Sequence, residues 1–242
     1  MMKTSIRVLM ASTVIALAFG CAGTDLGKVG SGLLKGQGGL DTKTITAGLK
    51  EALQVGVQRA VDQASAEGGY AENQQIHISL PDKLDSMANT LRRVGLGGQV
   101  NTLEKKMNLA AEEAASKATP VFVDAIKGMS FADAREILNG GDTAATDYLR
   151  GTTLDELTKL YTPTVNKHLQ SVGVVDLYNQ LHERYKALPL APSLDFKPTD
   201  YVTGEALDGL FALLAQEEQK IRADPAARTT DLLKQVFAAE SK

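Results

Sequence analysis

Two stretches of this chain place charged side chains at helical spacing beside the residues that begin or end a helix, an arrangement suited to holding an anion. In the first, from Asn139 to Arg150, Gly140 and Gly141 offer the positive φ angles of a tight turn, and Asp142 can cap the following helix by accepting from its orphan amides. On that helix Thr143, Asp147 and Arg150 share a polar face at i, i+4 and i+7. Helix N-terminal amides together with Arg150 would hold an anion or a small polar ligand. A capped turn with a local ion pair accounts for the same residues without a ligand.

The second stretch runs from Glu217 to Asp231. The apolar phase of Leu207, Phe211, Leu214 and Ile221 carries Glu218 into the buried stripe, where a charge is costly without a partner. Arg222, one turn later, is the local candidate, and Arg228, Arg150 and Arg135 are candidates from elsewhere. A carboxylate among arginines anchors a hydrogen-bond network but makes a poor general base, because nearby cations favour its charged form. The cluster reads either as a ligand site or as a buried polar network fixing the C-terminal helices.

His77, His168 and His182 are scattered beyond metal-ligand spacing, and Cys21 is the single cysteine, so neither a histidine cage nor a cysteine-rich zinc module is expected. No H-E-x-x-H, G-x-S-x-G or G-x-x-x-x-G-K-[ST] string occurs. Gly95-Leu96-Gly97-Gly98 has no strand before it, which removes a dinucleotide reading. No catalytic residue, metal or cofactor is nominated.

The elements that must position these residues are helices. From Asp41, a cap for a helix with Ile45, Leu49, Leu53, Val57 and Val61 inward, the hydrophobic period is helical almost throughout. Ser79-Leu80-Pro81 suits a capped helix start, followed by a short helix marked by Leu84, Met87, Leu91 and Val94. The stripe from Val100 to Ala125 contains Pro120, which should kink or divide it. Ser130 opens a helix closed by Gly140. The stripe from Leu154 to Leu169 is interrupted by Pro163, and another runs from Val174 to Leu188. Pro189 to Pro198 reads as a linker, Thr203 as the cap of a helix, and Asp224-Pro225 as a restart toward Leu232, Leu233, Val236 and Phe237. Short helix-to-helix connections imply one all-α bundle of roughly eight to ten helices over residues 41–242.

Before this domain, Lys3 and Arg7 precede an apolar run from Val8 to Phe19, a secretory signal layout over residues 1–20 that is too short to span a bilayer. Ala18-Phe19-Gly20-Cys21 resembles the bacterial lipoprotein lipobox, in which the cysteine receives the lipid. Ala16-Leu17-Ala18 offers a competing cleavage site that would give a soluble periplasmic protein. Glycines at 23, 27, 30, 32, 36, 38 and 39 make residues 21–40 a flexible tether. A net charge of −3 and 5% aromatics argue against nucleic acid as a partner. Ala22 rather than Asp after the cysteine matches the bacterial lipoproteins retained at the outer membrane. The partners expected are therefore the membrane, through a lipid anchor at Cys21, and a protein of the cell envelope.

Several longer strings are specific together: Gly48-Leu49-Lys50-Glu51-Ala52-Leu53, Ile78-Ser79-Leu80-Pro81, Met107-Asn108 with Ala110-Ala111-Glu112, and the run Gly140 to Tyr148. Tyr201-Val202-Thr203, Ala206 to Phe211, Glu217-Glu218, Ile221-Arg222, Asp224-Pro225 and Arg228-Thr229-Thr230 continue them. Through these the chain resembles the bacterial family known as domain of unknown function 4197, with Leu109 and Leu149 as departures where Arg and Phe would be expected. The resemblance implies an exported helical domain and carries no site residues. The functional expectation is a periplasmic, lipid-anchored module that binds a partner or ligand without catalysis. The alternatives are an enzyme acting on an anionic substrate through the Arg/carboxylate residues and a purely structural envelope protein.

Overall fold

Alanine and leucine recur at helical spacing along this chain, so the backbone bonds are satisfied locally and the apolar stripes are left to pack. The computed structural model describes residues 42–187 and 196–223. Among them are eight α-helices and no strand: α1 (Thr42–Ser65), α2 (Asp85–Arg93), α3 (Gly97–Ala115), α4 (Thr119–Gly128), α5 (Phe131–Asn139), α6 (Ala144–Ser171), α7 (Val174–Lys186) and α8 (Pro198–Ala223). The protein is all-α.

α8 is the central helix. It lies against α1, α3 and α6, and residues on nearly every side of it are buried, from Val202 through Leu207, Leu210 and Phe211 to Ile221. Phe211 meets Phe122 of α4 edge to face at 5.7 Å, the arrangement that sets the positive rim of one ring on the negative face of the other. Gly209 is required where the chain between α1 and α2 crosses α8: a Cβ there would stand 2.9 Å from Tyr70 Cε1 and 3.0 Å from Ile76 Cβ.

Several junctions follow the sequence. Pro120 divides the long stripe and occupies the first turn of α4, where its missing amide costs nothing. Ser130 and Asp133 form a reciprocal capping box at the start of α5. Others differ. α6 runs unbroken through Pro163, because a 28-residue helix packed along α8 tolerates one lost internal hydrogen bond. Thr203 does not cap α8, which starts at Pro198; Thr203 is buried within the helix, and its hydroxyl finds no partner among the described residues. Pro81 is the residue before a single 3₁₀ turn, Asp82–Leu84, and no side chain caps that turn. Val94 is 56% exposed, because α2 ends at Arg93 and Gly95 turns the chain away with φ of 85°. The cap assigned to Asp41, the restart at Asp224-Pro225 and the segment 1–40 lie outside the described residues.

Candidate functional site

Glu218 extends from the last turns of α8 toward the first turn of α6, where the amides of a helix start have no intrahelical acceptor and carry partial positive charge. Its Oε1 accepts from the Ala145 amide at 2.9 Å, and its Oε2 from the Thr146 amide at 2.8 Å and the Thr146 hydroxyl at 2.8 Å. Arg222 sits one helical turn further along α8. It donates to the same Oε1 from Nε at 3.0 Å and from Nη2 at 2.8 Å. The Arg222 Nη2 group also donates to the Ile137 carbonyl, 2.8 Å away in α5. One carboxylate therefore joins α5, α6 and α8, with side-chain exposures of 6% for Glu218 and 16% for Arg222.

The anion that the helix start attracts is thus supplied by the protein itself. Asp142 is exposed and caps nothing; Thr143 takes the cap position without a side-chain capping bond. The glycine turn also differs from the positive-φ expectation. Gly140 has φ −83° and ψ 179°, and Gly141 is not among the positive-φ glycines of the described residues, which are Gly68, Gly95 and Gly173. Gly140 answers a steric need instead, since a Cβ there would lie 2.5 Å from the Ala144 Cβ.

The other polar residues of this segment point elsewhere. Asp147 is exposed and accepts from the Thr143 hydroxyl at 3.2 Å. Arg150 pairs with Asp208 at 2.7 Å and lies over the Phe211 ring at 4.4 Å, roughly two to three turns before Glu218 along α8. Arg135 is exposed, with no bond to Glu218. Arg228 and Cys21 lie outside the described residues.

A crevice opens beside the carboxylate between α1, α6 and α8, lined by Leu49, Leu53, Gly56, Ala145, Leu214 and Ile221 with Glu218 and Arg222 at one end. Its free volume of about 20 Å³ holds roughly one water. Five donors saturate the carboxylate, so it has no free lone pair with which to take a proton from a substrate.

A second polar assembly escaped the sequence reading. On α3, Asn108 exchanges both amide bonds with Ile78, accepting from its N–H at 2.9 Å and donating to its C=O at 2.8 Å. One turn later Glu112 Oε1 accepts from the amides of Tyr70 and Ala71, both at 3.1 Å. One turn earlier Glu104 meets His77 Nε2 at 2.8 Å, and His77 Nδ1 meets the Ala71 carbonyl at 3.0 Å. The spacing Glu104, Asn108, Glu112 was the available signal: three polar side chains in line at i, i+4 and i+8 share one face, although solvent would serve that face as well as a partner. That partner is the chain between α1 and α2. It is pinned to α8 as well, through the Tyr70 hydroxyl donating to the Ala206 carbonyl at 2.6 Å. Burial first, and then the Glu112 charge, push the Tyr70 phenol pKa far above its ordinary value. Glu217 was also missed; it is buried against Lys220 at 2.6 Å, with Arg59 at 3.6 Å.

Among the described residues, no group of three or more His, Cys, Asp or Glu side chains is placed to hold a metal ion, and no helix is long and apolar enough to cross a membrane. A family described as a protein of unknown function (DUF4197) matches residues 39–238. No curated protein and no solved structure matches the chain.

Proposed function

We propose that this chain, which belongs to the DUF4197 family of proteins of unknown function, is an exported envelope protein held at a membrane by lipid on Cys21. Its helical domain serves there as a non-enzymatic module that binds a partner or a small ligand. The observation that carries the reading is the leader: two cations, an apolar run from Val8 to Phe19, and then the chain's single cysteine. A glycine-rich stretch follows the cysteine in the sequence, and Ala22 favours the outer membrane.

The geometry of the polar cluster supports the non-enzymatic half. An enzyme working on an anion through Asp147, Arg150, Glu218, Arg222 and Arg228 needs them to converge on an open cleft; Arg228 lies outside the described residues. Glu218 and Arg222 are instead spent on each other and on backbone groups, and Arg150 is committed to Asp208 and Phe211.

Replacing Cys21 with Ser tests the anchor. The wild type should incorporate a tagged fatty acid and fractionate with outer membranes, whereas Cys21→Ser should lose the label and either move to the soluble periplasm or keep its leader uncut. Unlabelled wild type with unchanged fractionation in the mutant would place cleavage after Ala18 and make the protein soluble. Native mass spectrometry of the extracted protein tests the binding half. A companion at fixed stoichiometry supports it, and its absence from intact, folded material leaves a purely structural role in the envelope.

A further inference from the structure

Each ring nitrogen of His77 faces an oxygen that accepts. Nδ1 lies 3.0 Å from the Ala71 carbonyl, and Nε2 lies 2.8 Å from Oε1 of Glu104 on α3. A neutral imidazole carries one N–H, so it serves one of these acceptors and turns a lone pair toward the other. The imidazolium carries two and serves both, with the Glu104 carboxylate as its counter-charge. At side-chain exposures of 29% for His77 and 23% for Glu104, the pair is partly sheltered yet still exchanges protons with water.

These two bonds close residues 71–77 into a loop and fasten it to α3. The ends of the loop have ties of their own, Glu112 at the Tyr70 and Ala71 amides and Asn108 at both backbone groups of Ile78. Between the ends the backbone bonds are short-range, from the Glu72 amide to the Gly68 carbonyl and from the Ile76 amide to the Asn73 carbonyl. A cleft of about 310 Å³ opens where the loop meets α3, lined by Ala71, Glu72, His77, Asn101, Glu104 and Lys105. Glu72 on the loop and Lys105 on α3 thus bring one charge of each sign to the same cleft. On α8 the Tyr201 phenol feels Glu104 together with Glu205 and Asp82; burial and these carboxylates keep it protonated, so it adds no charge in the range where histidine titrates.

We propose that His77 is a proton-operated latch on the segment between α1 and α2. Protonated, it holds residues 71–77 shut against α3; without its second proton it releases one of its two acceptors, the loop loosens and the cleft beside it widens. The proton belongs to the closed form, so closure is complete at the acid end of the histidine range and is lost as the pH rises through it. Asn108 and Glu112 keep the loop ends in place, which confines the opening to the loop. The latch lies wholly within the folded domain, so it works with or without a lipid anchor.

Nuclear magnetic resonance of the full chain tests it. Between about pH 5 and pH 8 the His77 ring nitrogens should pass from the imidazolium to the neutral form. Exchange protection of the Glu72 and Ile76 amides, corrected for the intrinsic pH dependence of exchange, should fall about tenfold with the same midpoint. Far-ultraviolet dichroism should stay helical throughout. His77→Gln cannot change its charge and should hold the protection of these amides level with pH, whereas Glu104→Gln removes the counter-charge and should move the fall to lower pH. Wild-type protection that does not follow the ring overturns the proposal, whether or not either variant folds. A fall of wild-type size and midpoint in folded His77→Gln or Glu104→Gln overturns it as well.

Discussion

Five donors converge on Glu218 in a place where a charge has little water to fall back on, so the cost of removing that charge is set by what is left behind. Glu218→Gln puts an amide N–H₂ against backbone N–H groups and removes the negative charge that Arg222 meets at this junction. The fold should lose about 3 kcal/mol or more, against under about 1 kcal/mol for an exposed pair. Chemical denaturation should show a lower midpoint at unchanged slope; a variant as stable as wild type would mean that the junction is solvated and free for a ligand. Two tyrosines give a contrast of sign. Tyr70 donates to the Ala206 carbonyl, so Tyr70→Phe should destabilise by about 1 kcal/mol or more. The Tyr161 hydroxyl is buried with no partner among the described residues, so Tyr161→Phe removes a desolvated polar group and should be neutral or stabilising in the same measurement.

At the scale of the element, α3 works as a polar rail for the chain between α1 and α2, while its adjacent face packs Leu103, Met107 and Ala111 into the core. Asn108→Ala strands both backbone groups of Ile78, which is 1% exposed, and should cost about 2 kcal/mol. Hydrogen exchange should show the Ile78 amide opening first, with Tyr70 and Ala71 still protected by Glu112. Uniform acceleration of all three would mean that this chain segment opens as one unit. The apolar stripes of these helices were legible in the sequence, because burial imposes a 3.6-residue period that needs no knowledge of the neighbours. The caps were less so. Ser130 was readable because its partner Asp133 is three residues away, whereas the cap of α6 comes from Glu218, distant in sequence, and local pattern assigned it to Asp142 instead. Thr203 misled for a related reason: threonine is common at helix starts, but Pro198 had already fixed the start of α8 and packing drew Thr203 into the core. That Glu218 needed a cation was visible from phase alone, with Arg222 as the local candidate beside Arg228, Arg150 and Arg135, while the amides that complete its shell depend on where α6 is docked.

For the molecule as a whole, the ionisable groups buried most deeply at its centre are phenols, and this sets how stability responds to alkali. Burial, and next the Glu112 charge, raise the Tyr70 pKa well above its ordinary value, and burial followed by the proximity of Tyr70 does the same for Tyr161. Tyr201, nearer the surface with its hydroxyl on the Ser79 carbonyl, is pushed up to about 12 by burial and by the carboxylates of Glu205, Asp82 and Glu104. In the unfolded chain these groups release their protons near pH ~10. The folded chain keeps its protons there, so above that pH the unfolded state binds fewer protons than the native one and the free energy of unfolding falls. The stability held by neutral phenols is complete below pH ~10 and is lost as the pH climbs toward the folded-state values. Denaturant midpoints measured from pH 8 to pH 12 should stay level to about pH 10 and then drop steeply. Tyr161→Phe should make that drop shallower without lowering the plateau, because it removes a titrating group that holds no partner. A midpoint level through pH 12, or a Tyr161→Phe curve parallel to wild type, would show that the centre of the bundle admits water and lets the phenols titrate as they do when unfolded.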